Sequence, residues 1–274
     1  MTSTTIDIRP FLQEDIGAGD ITAQLINPAC QAQAHLINRE AMILCGVAWF
    51  NAVFTYLNPQ LTINWHYTDG ERIAANSLLC TLSGNARALL TGERTALNLL
   101  QTLSATATTS WHYNQAVAHT QCKILDTRKT IPGLRLAQKY AVACGGCLNH
   151  RMGLYDAILI KENHIIAAGS IANAVQLARR QTQCSVEVEV ENLAEYQQAL
   201  AALPDRIMLD NFSLADLKTA VTLKTPNITL EASGNIDLTN ISSVAQTGVD
   251  FISIGALTKH IHAIDLSMRI ELIL

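Results

Sequence analysis

Apolar and polar positions follow two different rhythms along this chain, and the change falls near residue 108. In the first stretch, residues 5–16 have helical spacing with Pro10 close to the first turn, and Gly17-Ala18-Gly19-Asp20 reads as a turn into Ile21-Thr22. Residues 33–39 and 41–45 predict a pair of strands, and 47–57 a helix. Residues 61–67 predict an alternating strand ending at an Asp69-Gly70 turn, and 78–83 another strand. Leu89, Leu90, Ala96, Leu97, Leu100 and Leu103 then recur at helical spacing, which predicts a long amphipathic helix from 86 to about 107 that joins the two halves. The pattern so far is α+β, with no βαβ rhythm.

Beyond residue 109, strand-like runs at 122–125, 157–160, 185–190, 206–209, 228–230 and 251–254 are separated by helical segments. The runs end at or carry Asp126, Lys161, the Glu187-Val188-Glu189-Val190-Glu191 series, Asp210, Glu231 and Gly255. The last four start 21 to 23 residues apart, near the shortest unit that holds a strand, a crossover helix and two turns. Six such units predict a parallel sheet, and repetition at this spacing favours a barrel, whose active site is built at the C-terminal strand ends. The polar residues fall at those ends, so an enzyme is expected. Residues 1–108 are then a first domain with its linking helix, and 109–274 a second, its last residues free to pack back on the first.

Period-two alternation in the 187–191 series sends three carboxylates to one face and the valines to the other. In a barrel the valines meet the helices and the glutamates point inward, where like charges need cations, a metal or ligand hydroxyls. Asp210 follows Glu189 by 21 residues and Glu231 follows Asp210 by 21, so three adjacent strands should present acids at similar heights. Such a group suits Mg²⁺ or the hydroxyls of a sugar.

Composition narrows the class. Of 274 residues, 49% are apolar and only 5% aromatic, so the core is built of Leu, Ile, Val and Ala, as in parallel α/β proteins. No apolar run approaches the roughly 20 residues of a membrane span, and Met1 to Asp20 lacks the pattern of a signal peptide. Seven scattered cysteines fit a reducing cytoplasm; Cys144-Gly145-Gly146-Cys147 has redox or metal spacing, but its glycines read as a tight turn. A net charge of −4 and few aromatics argue against nucleic-acid binding.

Charge is distributed unevenly. Between residues 126 and 161 there are six bases (Arg128, Lys129, Arg135, Lys139, Arg151, Lys161) against two acids (Asp126, Asp156), while the chain as a whole has 19 against 23. A local surplus in an acidic protein predicts a pocket for a polyanion. Arg128 offers a fork for a carboxylate and Lys129 a point charge for phosphate. His150 could donate to an anion or stack on a ring, and His164 is read as ordering its loop. Near the C-terminus, Glu231-Ala-Ser-Gly-Asn235 and Ser253-Ile-Gly-Ala-Leu257 each lie between a strand and a predicted helix. There small residues let backbone N–H groups and a helix N-terminus meet a phosphate.

Taken in order, Glu14-Asp15-x-Gly-x-Gly-Asp20, Glu93-Arg94-Thr95, Asp126-Thr-Arg-Lys-Thr-x-Pro-Gly-Leu-Arg135, Asn149-His-Arg-x-Gly-Leu154, Leu159-Ile-Lys-Glu-Asn-His164, Glu187-Val-Glu-Val190, Met208-Leu-Asp-Asn211, Glu231-Ala-Ser-Gly234 and Gly248-Val-Asp-x-Ile-Ser253 closely resemble the quinolinate phosphoribosyltransferases. The resemblance implies an N-terminal α/β sandwich domain plus an incomplete, open TIM-like α/β barrel, assembled as a homodimer with the active site shared across subunits. It implies a pentosyl transfer from phosphoribosyl pyrophosphate to quinolinate with Mg²⁺, giving nicotinic acid mononucleotide, CO₂ and pyrophosphate in NAD biosynthesis. It also implies that Arg128, His150, Arg151 and Lys161 read the quinolinate carboxylates, with Arg94 reaching in from the partner. Lys129 and Lys161 would border the pyrophosphate. Glu189 and Asp210 would hold the ribose hydroxyls or the metal, directly or through substrate or water. Ser233, Gly234, Asn235, Gly255 and Ala256 would cradle the 5′-phosphate. Two positions depart from the family pattern: Asn235 where a second Gly is common, and Cys147 where a small Gly is common. The alternatives are a related phosphoribosyltransferase for another base and an inactive phosphate- or nucleotide-binding homologue. The crowding of Arg94, Arg128, His150 and Arg151 argues against the first, and the acids at Glu189 and Asp210 against the second.

Overall fold

The computed structural model describes residues 6–273. These form two compact units: residues up to Thr108 together with those from Ile261 on, and Thr109–His260. The segment from Ile261 on, which the sequence left free to pack back on the first domain, groups with the first unit.

In the first unit, helix α1 spans Arg9–Ile16 with its proline in the first turn. A start at residue 5 was expected, and residue 5 itself lies outside the described residues. Pro10 sets the later start, since a proline deeper in the helix would remove a hydrogen bond and clash with the preceding turn. The main sheet is antiparallel, in the order β12 (Leu266–Ile273), β1 (Gln31–Asn38), β5 (Leu78–Asn85), β3 (Thr62–Trp65). Alternate residues of β1 are buried, as a strand with one covered face requires. Helix α2 (Val47–Leu57) buries Phe50, Val53 and Phe54, and the Phe50 ring meets Trp65 of β3 edge-on at 5.2 Å. The expected pairing of 33–39 with 41–45 does not occur. Both edges of β1 are taken, by β5 and β12, so β2 (Met42–Ile43) pairs with β4 (Arg72–Ile73) instead.

Helix α3 (Ala86–Ala116) runs nine residues past the end expected at 107. The run Thr106 to Thr109 is poor in helix propensity. The helix persists because Ala105 and Ala107 are buried and the Thr106 and Thr108 hydroxyls bond back to the carbonyls of Thr102 and Ser104.

The second unit is an open barrel of six parallel strands, ordered β6 (Lys123–Leu125), β11 (Phe251–Ser253), β10 (Thr229–Ser233), β9 (Arg206–Asp210), β8 (Val186–Val190), β7 (Ile158–Ile160). Among the described residues β6 and β7 do not pair, so the barrel is incomplete. Val186, Val188 and Val190 are fully buried in a core shared with Tyr196 and Ala199 of helix α7 (Leu193–Ala202). The short connections are set by local chemistry: Asn192 caps α7 and Ser213 caps helix α8 (Leu214–Leu223), each accepting a backbone N–H three residues on. Helices α4 (Arg135–Cys144), α5 (Glu162–Ala168), α6 (Ile171–Gln181), α9 (Ile241–Ala245) and α10 (Ala256–Lys259) complete the unit.

Candidate active site

With the valines of β8 committed to the helices, every second residue of the parallel strands faces the other way. Strand register sorts these residues into layers. Glu187 pairs with Arg206, Glu189 with Met208, Met208 with Glu231, and Asp210 with Ser233. Glu189 and Glu231 therefore share one level while Asp210 stands two residues higher, which corrects the expectation of three acids at one height. Glu231 also lies inside β10 rather than at its end. Equal sequence spacing does not set register, because the turns that precede each strand differ in length.

A cleft of about 310 Å³ opens on this face, lined among others by Arg128, Lys129, His150, Arg151, Lys161, Glu189, Asp210 and Ser233. These eight residues, expected from the sequence to share a site, are brought together. Gly234 and Asn235 border a neighbouring cavity with Asn211 and Asn240, and Ser233 borders both. Gly255 sits against the stem of Lys129, where a Cβ would come within 2.9 Å of the lysine Cδ. Ala256 follows it at the start of α10. The helices after both small-residue turns are only 5 and 4 residues long, too short for much of a dipole, so any phosphate there would rest on individual N–H groups and Lys129. Arg94 belongs to the first unit, exposed on α3.

The cationic surplus divides. Lys139 is not in the cleft. It forms an ion pair with Asp126, both side chains fully buried, and donates to the carbonyl of His150 at 2.9 Å. Asp126 also accepts from the Asn149 amide at 2.7 Å and the His150 backbone N–H at 2.8 Å. This buried knot ties the end of β6 to the 149–151 loop. Arg135 braces the same region through Thr130 and the Met152 carbonyl. Gln138, which the sequence did not mark, is fully buried and bonds both the Ile131 N–H and the Thr258 carbonyl, fixing the loop that carries Arg128 and Lys129. The Arg128 Nε is buried without a partner. Burial, then the neighbouring Arg128 charge, holds Arg151 below the usual guanidinium range. Two neighbouring guanidiniums, one with a buried donor that no group of the chain accepts, are suited to an anionic ligand. Lys161 reaches across to Glu189, and His164 accepts the Lys161 backbone N–H at 2.9 Å, ordering that loop as expected.

Beneath the cleft is a polar layer the sequence reading covered only in part. The Arg151 N–H donates to His150 Nδ1 at 2.8 Å, so Nε2 carries the proton and donates to Glu187, also at 2.8 Å. Burial pulls the imidazole below its ordinary pKa, which agrees with a neutral ring. Both nitrogens are thus engaged, leaving His150 to position its neighbours and to offer its ring. Arg206 donates to Glu231 at 2.8 Å and lies 4.1 Å over the Phe251 ring. Burial is the main cause that pushes Glu187 and Glu231 each up to about 7. Arg206 was missed, although residues 206, 208 and 210 share one face of β9 and the alternation would have found it. His150, Glu187 and Glu231 lie close enough to hold an ion, but the imidazole proton already engages one oxygen of Glu187 and the Arg206 guanidinium one oxygen of Glu231, leaving a single buried oxygen on each. Glu189 and Asp210, half-buried on the cleft wall, are the better oxygen donors for a hard cation. Cys147 is buried and donates to the Ser110 carbonyl, its thiol pushed up to about 12 by burial, so it is not poised for redox or metal chemistry.

Among the described residues no helix is long and apolar enough to cross a membrane. Residues 20–104 match the family described as quinolinate phosphoribosyl transferase, N-terminal domain, and residues 105–269 the matching C-terminal domain. A probable nicotinate-nucleotide pyrophosphorylase (carboxylating) of Synechocystis sp. is 42% identical over 268 residues, covering 96% of this chain and 91% of its own length. A relative of the same name in Bacillus subtilis is 40% identical, covering 96% and 91%. The solved nicotinate-nucleotide pyrophosphorylase of Francisella tularensis is 52% identical with a TM-score of 0.93, covering 96% of this chain and 94% of that one. Two consecutive family domains, and relatives at 40% identity or more along nearly the full length, make this chain a member of the quinolinate phosphoribosyltransferase family.

Proposed function

We propose that the chain transfers phosphoribose from phosphoribosyl pyrophosphate to quinolinate with decarboxylation, yielding nicotinic acid mononucleotide, CO₂ and pyrophosphate for NAD biosynthesis. The observation that carries this reading is the juxtaposition of Arg128, with its buried unpartnered Nε, and the neighbouring Arg151 with Lys129, Lys161, Glu189 and Asp210 in one cleft. A dicarboxylate and a pyrophosphate repel each other, and four cations in one wall offset that repulsion. Arg128 and Arg151 hold the quinolinate carboxylates, with His150 fixing Arg151 through its backbone. Lys129 and Lys161 border the departing pyrophosphate. As it leaves, positive charge develops on the ribose, and the half-buried carboxylates of Glu189 and Asp210 stabilise it. Lys161 is released from Glu189 toward the pyrophosphate as that charge moves. Alkylation makes the pyridine nitrogen an electron sink, which drives loss of the adjacent carboxylate as CO₂, and the ring carbanion left behind takes a proton from water. No general base is needed to form the carbon–nitrogen bond, so positioning is a large share of the catalysis.

Mg²⁺ fits the donor set: Glu189 and Asp210 would hold it together with substrate oxygens, and it would neutralise pyrophosphate charge there. Ser233, Gly234, Asn235, Gly255 and Ala256 face the 5′-phosphate. The working assembly is a homodimer in which Arg94 of the partner subunit completes the carboxylate site, and the cytoplasm is the proposed location.

Pyrophosphate and CO₂ release from quinolinate plus phosphoribosyl pyrophosphate, with nicotinate as the competing base, tests the reaction. Turnover of nicotinate alone would transfer the chain to the related base-specific reading; no turnover of either would leave a binding protein. For the shared site, Arg94→Ala and Lys161→Ala subunits are mixed, and activity is expected to reappear in heterodimers. If none does, Arg94 acts within its own chain or outside the site.

A further inference from the structure

Four described residues other than glycine have a left-handed backbone, and two of them, Asn211 (φ 57°) and Asn235 (φ 51°), meet beside the cleft. Such conformations carry a cost that persists only where neighbouring structure holds them. Here the holding is explicit. The Asn211 amide donates to Asp210 Oδ2 at 2.8 Å, its Oδ1 accepts from the Asn235 amide at 3.1 Å, and its backbone N–H donates to the Ser233 carbonyl at 2.9 Å. The Asn235 carbonyl accepts in turn from Asn240 at 3.0 Å. Gly234 lies under this bridge: a Cβ there would fall 2.2 Å from Asn211 Oδ1, so the amide occupies the place a side chain would take.

Resting on the phosphoribosyl transfer proposed above, we infer that Asn211 is a positioning residue that couples the Asp210 carboxylate to the Ser233–Asn235 turn, so that ribose and 5′-phosphate are recognised as one unit. A planar amide cannot reorient toward one partner without leaving the other. Phosphate seated on the turn holds Asn235, Asn235 holds the Asn211 amide, and the amide aims the lone pairs of Asp210. Pyrophosphate, at the opposite end of the donor, lies outside this linkage.

The test is a double-mutant cycle read by calorimetry with ribose 5-phosphate and with inorganic pyrophosphate, so that turnover plays no part. Asp210→Asn and Asn235→Gly are measured singly and together, first in the natural chain and then with Asn211→Gly, which keeps the left-handed backbone open. For ribose 5-phosphate the two changes should be non-additive by roughly threefold or more, and the coupling should vanish with Asn211→Gly. Pyrophosphate affinity, measured without Mg²⁺ so that Asp210 has no metal link to it, should show no coupling. Should Asn211→Gly fail to fold, Asn211→Asp replaces it, keeping the acceptor for Asn235 while losing the donor to Asp210. Additive effects in the natural chain, or coupling that survives at position 211, overturn the assignment. Absence of any ribose 5-phosphate binding by the natural protein overturns the phosphoribosyl reading itself, and the coupling with it.

Discussion

Arg128 has a buried Nε with no acceptor, and a buried donor left unmade costs about 1–3 kcal/mol, which a bound carboxylate would recover. Arg128→Ala is therefore expected to weaken quinolinate binding by about 2–5 kcal/mol, measured by calorimetry, with phosphoribosyl pyrophosphate little affected. Normal quinolinate affinity in that variant would remove Arg128 from the site. Glu231 makes a second residue-level case. Burial, then the like charge of Glu187, pushes it up to about 7 from 4.5, against the opposing pull of His150 and Arg206. Between those two values the folded chain binds more protons than the unfolded one. Its contribution to stability, full below about 4.5, is lost as pH rises through 7, with a slope of at most about 1.4 kcal/mol per pH unit per proton. In Glu231→Gln, denaturant midpoints should vary less over that window; an unchanged slope would place the proton elsewhere. Arg128 was legible in the sequence because its neighbours Lys129, Arg151 and Lys161 are legible too. The depth of Glu231 was not, since a polar residue after an apolar run reads as the end of a strand. Lys139 misled for a related reason: composition counts a charge but does not show that Asp126 has already neutralised it.

At the scale of elements, five of the six strands of the second unit fell within a residue of where the apolar runs placed them, and β10 runs three residues past its expected end, because a parallel strand covered on one face by helices needs a near-continuous apolar stretch or a strict alternation. The βα turns carry more strain than their sequences suggest. Gly234 has φ 92° and no room for a Cβ beside Asn211, so Gly234→Ala should cost about 1–3 kcal/mol of stability. The same substitution should weaken ribose 5-phosphate binding more than pyrophosphate binding; a thermal midpoint and affinities equal to those of the natural chain would contradict the tight turn. Strand pairing in the first unit was not legible, since β1 and β2 each look like a strand and nothing local says which edges are already taken.

For the whole molecule, the decisive feature of the first unit is the return of the chain after Ile261. Strand β12 covers one edge of β1 over eight residue pairs. A chain ended after His260 would leave that edge bare, and a bare, regular edge invites pairing with another copy. Such a truncation is expected to give low soluble yield and large species on size exclusion. A monodisperse product with the thermal midpoint of the full chain would show that the edge is dispensable.

By itself, the order of residues determined the alternation that turns Val186, Val188 and Val190 away from Glu187 and Glu189, the turn chemistry at Asp69-Gly70 and Asn192, and the collection of Arg128, Lys129, Arg151 and Lys161 near strand ends. These are local: a period of two, a capping side chain and a strand terminus involve residues a few positions apart. Tertiary structure alone decided the register that lifts Asp210 above Glu189, the burial that hides Lys139 and raises Glu231, the bridge from Asp210 through Asn211 to Asn235, and the place of β12. Each depends on which strands lie side by side and how much water is excluded between them, and those quantities arise only when distant segments pack.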